Sequence, residues 1–373
     1  MQISKFSIAG MLFVGISQIA NASPVEVEAL SLLNQYNLIT SGNVTSNSHV
    51  DGNALIGGNV SGGTYNMHST SNTVVPSLTV GGNTTGYIQT KGKGVNVAGN
   101  VAGNININDG GDAYFGSVSG TVQNNANGNG STSVVGNISG NVNTNGGNTI
   151  YGGTVTGYAG ANGSGHVLNQ TVTTPFDPAA TATNAINTLS QFSDNLSGLD
   201  SNSNYSINYG KVTFNATADS NGLAIFSIAN AKSFFDSAYE FAFNVGTATS
   251  ILFNVFSDGA TDLNLHANFL GGSASNLGSI LLWNFVDATS LNVAAQFGGS
   301  VLALNADVTT NQNIEGTLVA KNLNQFAEIH SQPSGFVPPD ITVPVSAVPI
   351  PAAALLFAPA LLGFMGFRRK LRV

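Results

Sequence analysis

The chain of 373 residues carries ten Lys or Arg, eighteen Asp or Glu, 45 glycines and no cysteine, which excludes disulfides, thiolate metal centres and a cysteine nucleophile. Five of the basic residues lie near the termini (Lys5, Arg368, Arg369, Lys370, Arg372), so the body between keeps five against all eighteen acids, a net charge of −13. Such a body repels phosphate backbones and has no basic cluster to release counterions, which excludes nucleic acid as a partner.

In chain order, Lys5, the apolar stretch Phe6 to Ile16 and the small residues Ala20-Asn21-Ala22 have the three-part layout of a secretory signal peptide, residues 1–22, cleaved before Ser23. The protein is therefore expected to be exported. From about Asn37, short apolar residues alternate with Asn, Gly, Ser and Thr, as in Val95, Val97 and Val101 or Ile105 and Ile107, which is the period of a strand. Imperfect Gly-Asn-Val or Gly-Asn-Ile repeats predict a right-handed β-solenoid whose inward Val, Ile and Leu stack from coil to coil, with Gly and Asn at the corners. A sandwich or barrel of hairpins remains open, because Asn127-Gly128 and Asn145-Gly146 also suit hairpin turns.

One amphipathic helix is expected over about 178 to 197: Asp177 as N-cap, Pro178 at N1, Ile186, Leu189, Phe192 and Leu196 at helical spacing, and Gly198 as the stop. After it the strands become more apolar. Phe241, Phe243 and Val245, then Ile251, Phe253 and Val255, alternate with Asn244 and Asn254, placing the main core between 205 and 320. A Pro-rich linker follows over 336–347. Residues 345–367 carry no charge and are long enough to cross ~30 Å of hydrocarbon, with the basic cluster after them retained in the cytoplasm.

Residues 279–330 contain Trp283-Asn284-Phe285, Asp287-Ala288-Thr289, Gly299 to Ala306, Ile314 to Lys321 and Glu328-Ile329-His330, and Val50 to Asn59 reads VDGNALIGGN. In these motifs the chain resembles the choice-of-anchor A family over residues about 30 to 335, with Leu304 where that family usually has proline. The resemblance implies a surface or adhesive domain, residues 23–335, and no defined reaction. The tail 348–373, with Val348-Pro349-Ile350-Pro351-Ala352, an apolar span and Arg368-Arg369-Lys370, is similar to PEP-CTERM sorting signals. That similarity implies recognition by an exosortase-type system in a Gram-negative bacterium and at least transient anchoring of a C-terminal transmembrane helix.

Catalytic constellations are sparse. His49, His68, His166, His266 and His330 stand singly, so a metal site would require distant positions to converge. Asn108, Asp109 and Asp112 around two glycines form a weak calcium candidate that lacks the spacing of a known calcium loop. Asp258, Asp262, Asp287, Asp307 and Glu315 could supply paired carboxylates, but are expected to be solvated or to accept backbone N–H groups at coil corners. The leading expectation is a non-catalytic, surface-displayed structural or adhesive protein of the envelope or polysaccharide matrix, with no cofactor. The alternatives are a polysaccharide-modifying β-helix enzyme and an ice-binding solenoid, the latter disfavoured because Thr171-Val172-Thr173 is isolated.

Overall fold

The structure is a computed structural model that describes residues 23–68, 75–127, 130–175, 177–259, 261–331 and Phe336. The signal segment 1–22, the linker beyond Phe336 and the sorting tail with its expected membrane span, including Val348, Pro349, Pro351, Ala352, Arg368, Arg369 and Lys370, lie outside the described residues. Among the described residues no helix is long and apolar enough to cross a membrane.

Strand-period repeats with Gly-Asn corners stack as a parallel solenoid. Leu38–Thr40 pairs with Ala54–Ile56, and the ladder continues through Leu78–Val80, Val95–Val101, Ala113–Val118, Thr132–Val134, Thr149–Tyr151 and Val167–Asn169. On the other side of Leu38–Thr40 lies Leu318–Gln325, followed outward by Ser300–Thr310, Leu281–Phe285, Ser250–Val255 and Leu223–Ile228. The first coil is thus in mid-stack. The chain coils from there to one end, runs back along the side as a helix, and coils inward from the opposite end until Ile329 meets Val50 at a seam. The hairpin alternative is overturned at Asn145-Gly146, because Asn141–Asn145 pairs in parallel with Thr121–Asn124 and Tyr158–Asn162. An antiparallel pair does occur later, between Asn204–Asn208 and Lys211–Asn215, turned at Tyr209 (φ 49°) and Gly210 (φ 82°).

The Gly-Asn repeat has a direct physical cause. Asn59, Asn83 and Asn100 each donate a backbone N–H to the side-chain oxygen of the preceding coil's asparagine (Asn43, Asn59 and Asn83), at 2.7–2.8 Å. The glycine before each asparagine lies on the glycine below: a Cβ on Gly58 would sit 2.7 Å from Gly42 O, and one on Gly99 2.6 Å from Gly82 O. The corner therefore needs glycine for clearance and asparagine for a ladder of amide acceptors.

Four α-helices occur among the described residues, where the sequence reading gave one: α1 (Pro24–Gln35), α2 (Pro178–Ser197), α3 (Ala231–Ser237) and α4 (Ser273–Leu277). Helix α2 has the expected bounds, with Asp177 Oδ1 accepting from Ala179 N at 2.9 Å and Ala180 N at 3.2 Å. Its 20 residues span ~30 Å at ~1.5 Å rise. It touches the strands from Leu281–Phe285 to Val95–Val101, six ladder steps that span roughly 29 Å at ~4.8 Å each. Helix α1 is short, and Ala29 and Leu33, one turn apart on it, are buried with Leu189, Phe192, Ile39 and Leu55 in a second core that also takes in Phe336.

The main core is not confined to 205–320. Val44, Val60, Ile88, Ile105, Val122 and Val142 belong to the same buried cluster as Phe214, Phe253 and Trp283. The C-terminal coils differ in filler: the Trp283 ring stacks on Phe253 with centroids 3.8 Å apart, and its Nε1 donates to Gly298 O at 2.9 Å. Asn254, placed opposite the core by alternation, is covered by α2 and donates to Leu196 O at 2.6 Å.

Candidate functional site

Side chains that alternate outward on a parallel solenoid recur once per coil, so a polar residue repeated in register becomes a row. On one face, register aligns His49, Thr64, Gln89, Asn106, Gln123 and Asn143 in a single column. A neighbouring row contains Asn108, Asn125, Asn145 and Asn162, cross-linked to the first and along itself. Asn125 Nδ2 donates to Asn106 Oδ1 (2.9 Å) and Asn108 Oδ1 (3.4 Å), Asn145 Nδ2 to Asn125 Oδ1 (2.8 Å), and Asn162 Nδ2 to Asn145 Oδ1 (2.7 Å). Asn143 joins the two rows by donating to Gln123 Oε1 and Asn145 Oδ1, both at 3.3 Å. A third column, Tyr87, Asn104, Thr121, Asn141 and Tyr158, begins and ends in exposed tyrosines, 56% and 54% accessible. The face is a grid of amides, orientated by mutual hydrogen bonds and flanked by two aromatic rings.

Beside Tyr87 the grid runs into a cleft of about 360 Å³ lined by Ser46, Ser48, Ser61, Gly62, Gly63 and Thr64. It is formed where the register slips between Ser61 and Gly63, both glycines having positive φ (72° and 98°). A Cβ on Gly62 would meet Ser46 O at 2.6 Å, so the bulge requires glycine.

At the seam the same face ends in a cluster of imidazoles and carboxylates. His68 Nδ1 is 2.9 Å and His49 Nε2 3.5 Å from Asp51 Oδ1, while His49 Nδ1 faces Glu328 Oε1 at 3.6 Å. His330 lies between two acids, Nδ1 2.9 Å from Glu315 Oε1 and Nε2 2.6 Å from Glu328 Oε2. A carboxylate oxygen stands at each nitrogen, so the ring when protonated donates from both. Burial pulls its pKa down, but its hydrogen bond to Glu328 and the charge of Glu315 with the hydrogen bond to it, and Asp51 behind, outweigh that and raise the value.

Three of the five singly spaced histidines are therefore brought together with Asp51, Glu315 and Glu328. Sequence spacing could not show this, since His49 and His330 are adjacent only because the last coil closes on the first. Glu315 also accepts from Gln296 Nε2 at 2.6 Å, and Asp287 accepts from Ser257 N at 2.7 Å, the corner role expected for it. Asp307 Oδ1 accepts from Asn322 Nδ2 at 2.7 Å, and Lys232 lies 3.3 Å from Asp236 and 3.6 Å from Asp262. In the calcium candidate, Asn108 is part of the amide grid, Asp109 has φ 64°, and Asp112 Oδ1 accepts from Ser131 N at 2.9 Å.

A family model described as "Putative Ice-binding-like adhesive domain" matches residues 29–134 and 101–331. No curated protein matches. Among solved structures, the C-terminal domain of tapirin from Caldicellulosiruptor kristjanssonii aligns at 10% identity over 81% of this chain and 93% of that one, with a TM-score of 0.23, too low to carry an argument.

Proposed function

Because the chain belongs to this ice-binding-like adhesive domain family, we propose that it is an exported, non-catalytic surface adhesin whose amide face holds a neutral polysaccharide. The observation that carries the reading is the grid itself. A planar amide offers a donor pair and an acceptor to sugar hydroxyls, repeating at the ~4.8 Å coil step, and exposed Tyr87 and Tyr158 offer flat rings to sugar C–H faces. The grid's internal hydrogen bonds fix its amides before binding, which lowers the ordering cost. The body's charge of −13 opposes an anionic polymer. Export by the signal peptide 1–22 and sorting by an exosortase-type system through Val348 to Ala352 and Arg368 to Lys370 complete the proposal, as the resemblances to choice-of-anchor A proteins and PEP-CTERM signals imply.

The test is affinity electrophoresis and calorimetry of the purified body against neutral and uronate-containing polysaccharides. Neutral polymer is expected to bind, and Tyr87→Ala with Tyr158→Ala to weaken it at least about tenfold, as loss of aromatic anchors does. No binding to any polymer, or binding indifferent to both tyrosines, refutes the reading.

A second reading, ice binding, has one observation in its favour: Asn264, Asn292, Thr309, Asn324, Thr45, Ser61 and Thr85 form a column of small polar side chains on the adjacent face. Thermal hysteresis lost in Thr45→Tyr but retained in Tyr87→Ala would establish it.

A further inference from the structure

We propose that His49, Asp51 and His68 form a binding site for a divalent zinc-class metal ion at the seam of the solenoid. One ligand atom from each of the three residues lies within 4.8 Å of the other two, and Asp51 Oδ1 is 3.5 Å from His49 Nε2 and 2.9 Å from His68 Nδ1. A tetrahedral ion with bonds of ~2.0–2.1 Å separates its ligand atoms by roughly 3.3–3.4 Å, so a small swing of one ring closes the site. His68, with 63% of its side chain exposed, is free to make that swing, while His49 and Asp51 are 23% and 13% exposed and fixed.

A simple histidine–aspartate ion pair accounts for His68 and Asp51 but not for a second imidazole turned to the same carboxylate oxygen. The other oxygen, Asp51 Oδ2, accepts from Ser331 N at 3.1 Å, which orients Oδ1 toward both rings. The nitrogen of His49 that does not face Asp51 is directed at Glu328 Oε1, 3.6 Å away, and Glu328 is in turn held by His330 and through it by Glu315. That distance is longer than a hydrogen bond, and a shift of a few tenths of an ångström on metal binding would turn it into the carboxylate–histidine–metal arrangement that fixes the tautomer and basicity of a ligating imidazole. Two neutral imidazole nitrogens and one carboxylate oxygen suit Zn²⁺ and leave the fourth position to water.

The three ligands come from consecutive coils. Asp51 follows the strand His49–Val50, His68 follows the strand Val60–Tyr65 paired with it, and His68 N donates to Asp51 O at 3.0 Å. A bound ion therefore clamps the first coil to the second, while the shell behind it reaches the last coil. Binding to the folded chain alone raises stability by mass action.

The test is titration of the full chain with Zn²⁺ by calorimetry and with Co²⁺ by visible absorption, with thermal unfolding in Zn²⁺ and in EDTA. One equivalent, a tetrahedral Co²⁺ spectrum and a melting temperature raised by Zn²⁺ are expected. His68→Asn, at an exposed position outside the core, is expected to weaken binding by more than about a hundredfold, and Glu328→Gln, behind His49, by roughly 10- to 100-fold. The control His166→Asn/His266→Asn keeps full affinity. Absence of a one-equivalent site, or a site unchanged in His68→Asn or lost in the control, overturns the proposal. Polysaccharide binding is measured in the same samples and is a separate result.

Discussion

Asn284 and Asn292 belong to the same coil and differ in one respect, and substituting each by alanine separates the two roles that asparagine has in this fold. Asn284 is fully buried under α2. Its Oδ1 accepts from Ser193 Oγ at 2.6 Å, and its Nδ2 donates to Ser193 O and Asn254 Oδ1, both at 3.0 Å. Asn284→Ala leaves two buried groups, the Ser193 hydroxyl and Asn254 Oδ1, without these partners. At ~1–3 kcal/mol for each stranded polar group the loss is about 2–6 kcal/mol. For a body of roughly 300 residues, an unfolding entropy of ~2.1 cal/mol/K per residue converts this to a fall in melting temperature of about 3–9 °C. Asn292 is outward, exchanging hydrogen bonds with Asn264 (2.8 Å) and Asn311 (2.7 Å) at the surface, where water replaces them, and Asn292→Ala changes stability by less than ~0.5 kcal/mol. Thermal unfolding followed by circular dichroism reads the difference, and hydrogen exchange shows whether α2 loses protection first. Equal effects of the two substitutions, or protection in α2 unchanged by Asn284→Ala, would refute the assignment of this network as the tie between helix and solenoid.

Further outcomes can be checked in the same way. Because the pKa of His330 is raised on folding, its pairing with Glu315 and Glu328 contributes fully below the ordinary histidine value near 6.5 and is lost as pH rises through the raised folded value. His330→Gln should flatten the stability profile on that alkaline side, as measured by urea unfolding from pH 5.5 to 9. Gly99→Ala forces a Cβ to within 2.6 Å of Gly82 O and 2.4 Å of Asn83 Oδ1, and should lower stability well beyond the ~1 kcal/mol of an unstrained glycine replacement, read as a drop in the denaturation midpoint. Phe192→Ala empties the centre of the second core, with an expected cost of ~3–5 kcal/mol by the same assay. Replacing Arg368, Arg369 and Lys370 by glutamine should impair surface delivery, and mass spectrometry of the native C-terminus shows whether the tail is removed.

The strand period of residues such as Val95, Val97 and Val101 was enough to foresee a ladder, and Asp177, Pro178 and the Leu189, Phe192, Leu196 spacing fixed the long helix to its ends. Both signals are local, confined to a turn or two of chain. What the sequence did not disclose depends on closure. The stack order, with 318–325 beside 38–46, has no local signature, and neither does the convergence of His49 with Glu328 or the burial of Asn254 beneath a helix some 60 residues earlier. The amide grid lies between these cases: its asparagines were visible as corner and strand residues, but their alignment needed coil lengths that vary through the register shifts at Ser61/Gly63 and Phe115/Ser117.

A solenoid entered at its middle distributes mechanical load unlike one threaded from tip to tip. Tension drawn through residue 331 reaches the stack at the strand Ile329–His330, which pairs with Ile314–Glu315 and meets Val50, where the first and last coils are neighbours. A polymer held on the amide face loads the coils from Ala54 to Asn169, while the coils from Leu223 to Phe285 hang from the other side of that seam as an unloaded flank. Under pulling, the junction's shear strength, and not the length of either arm, sets the force at which the body opens.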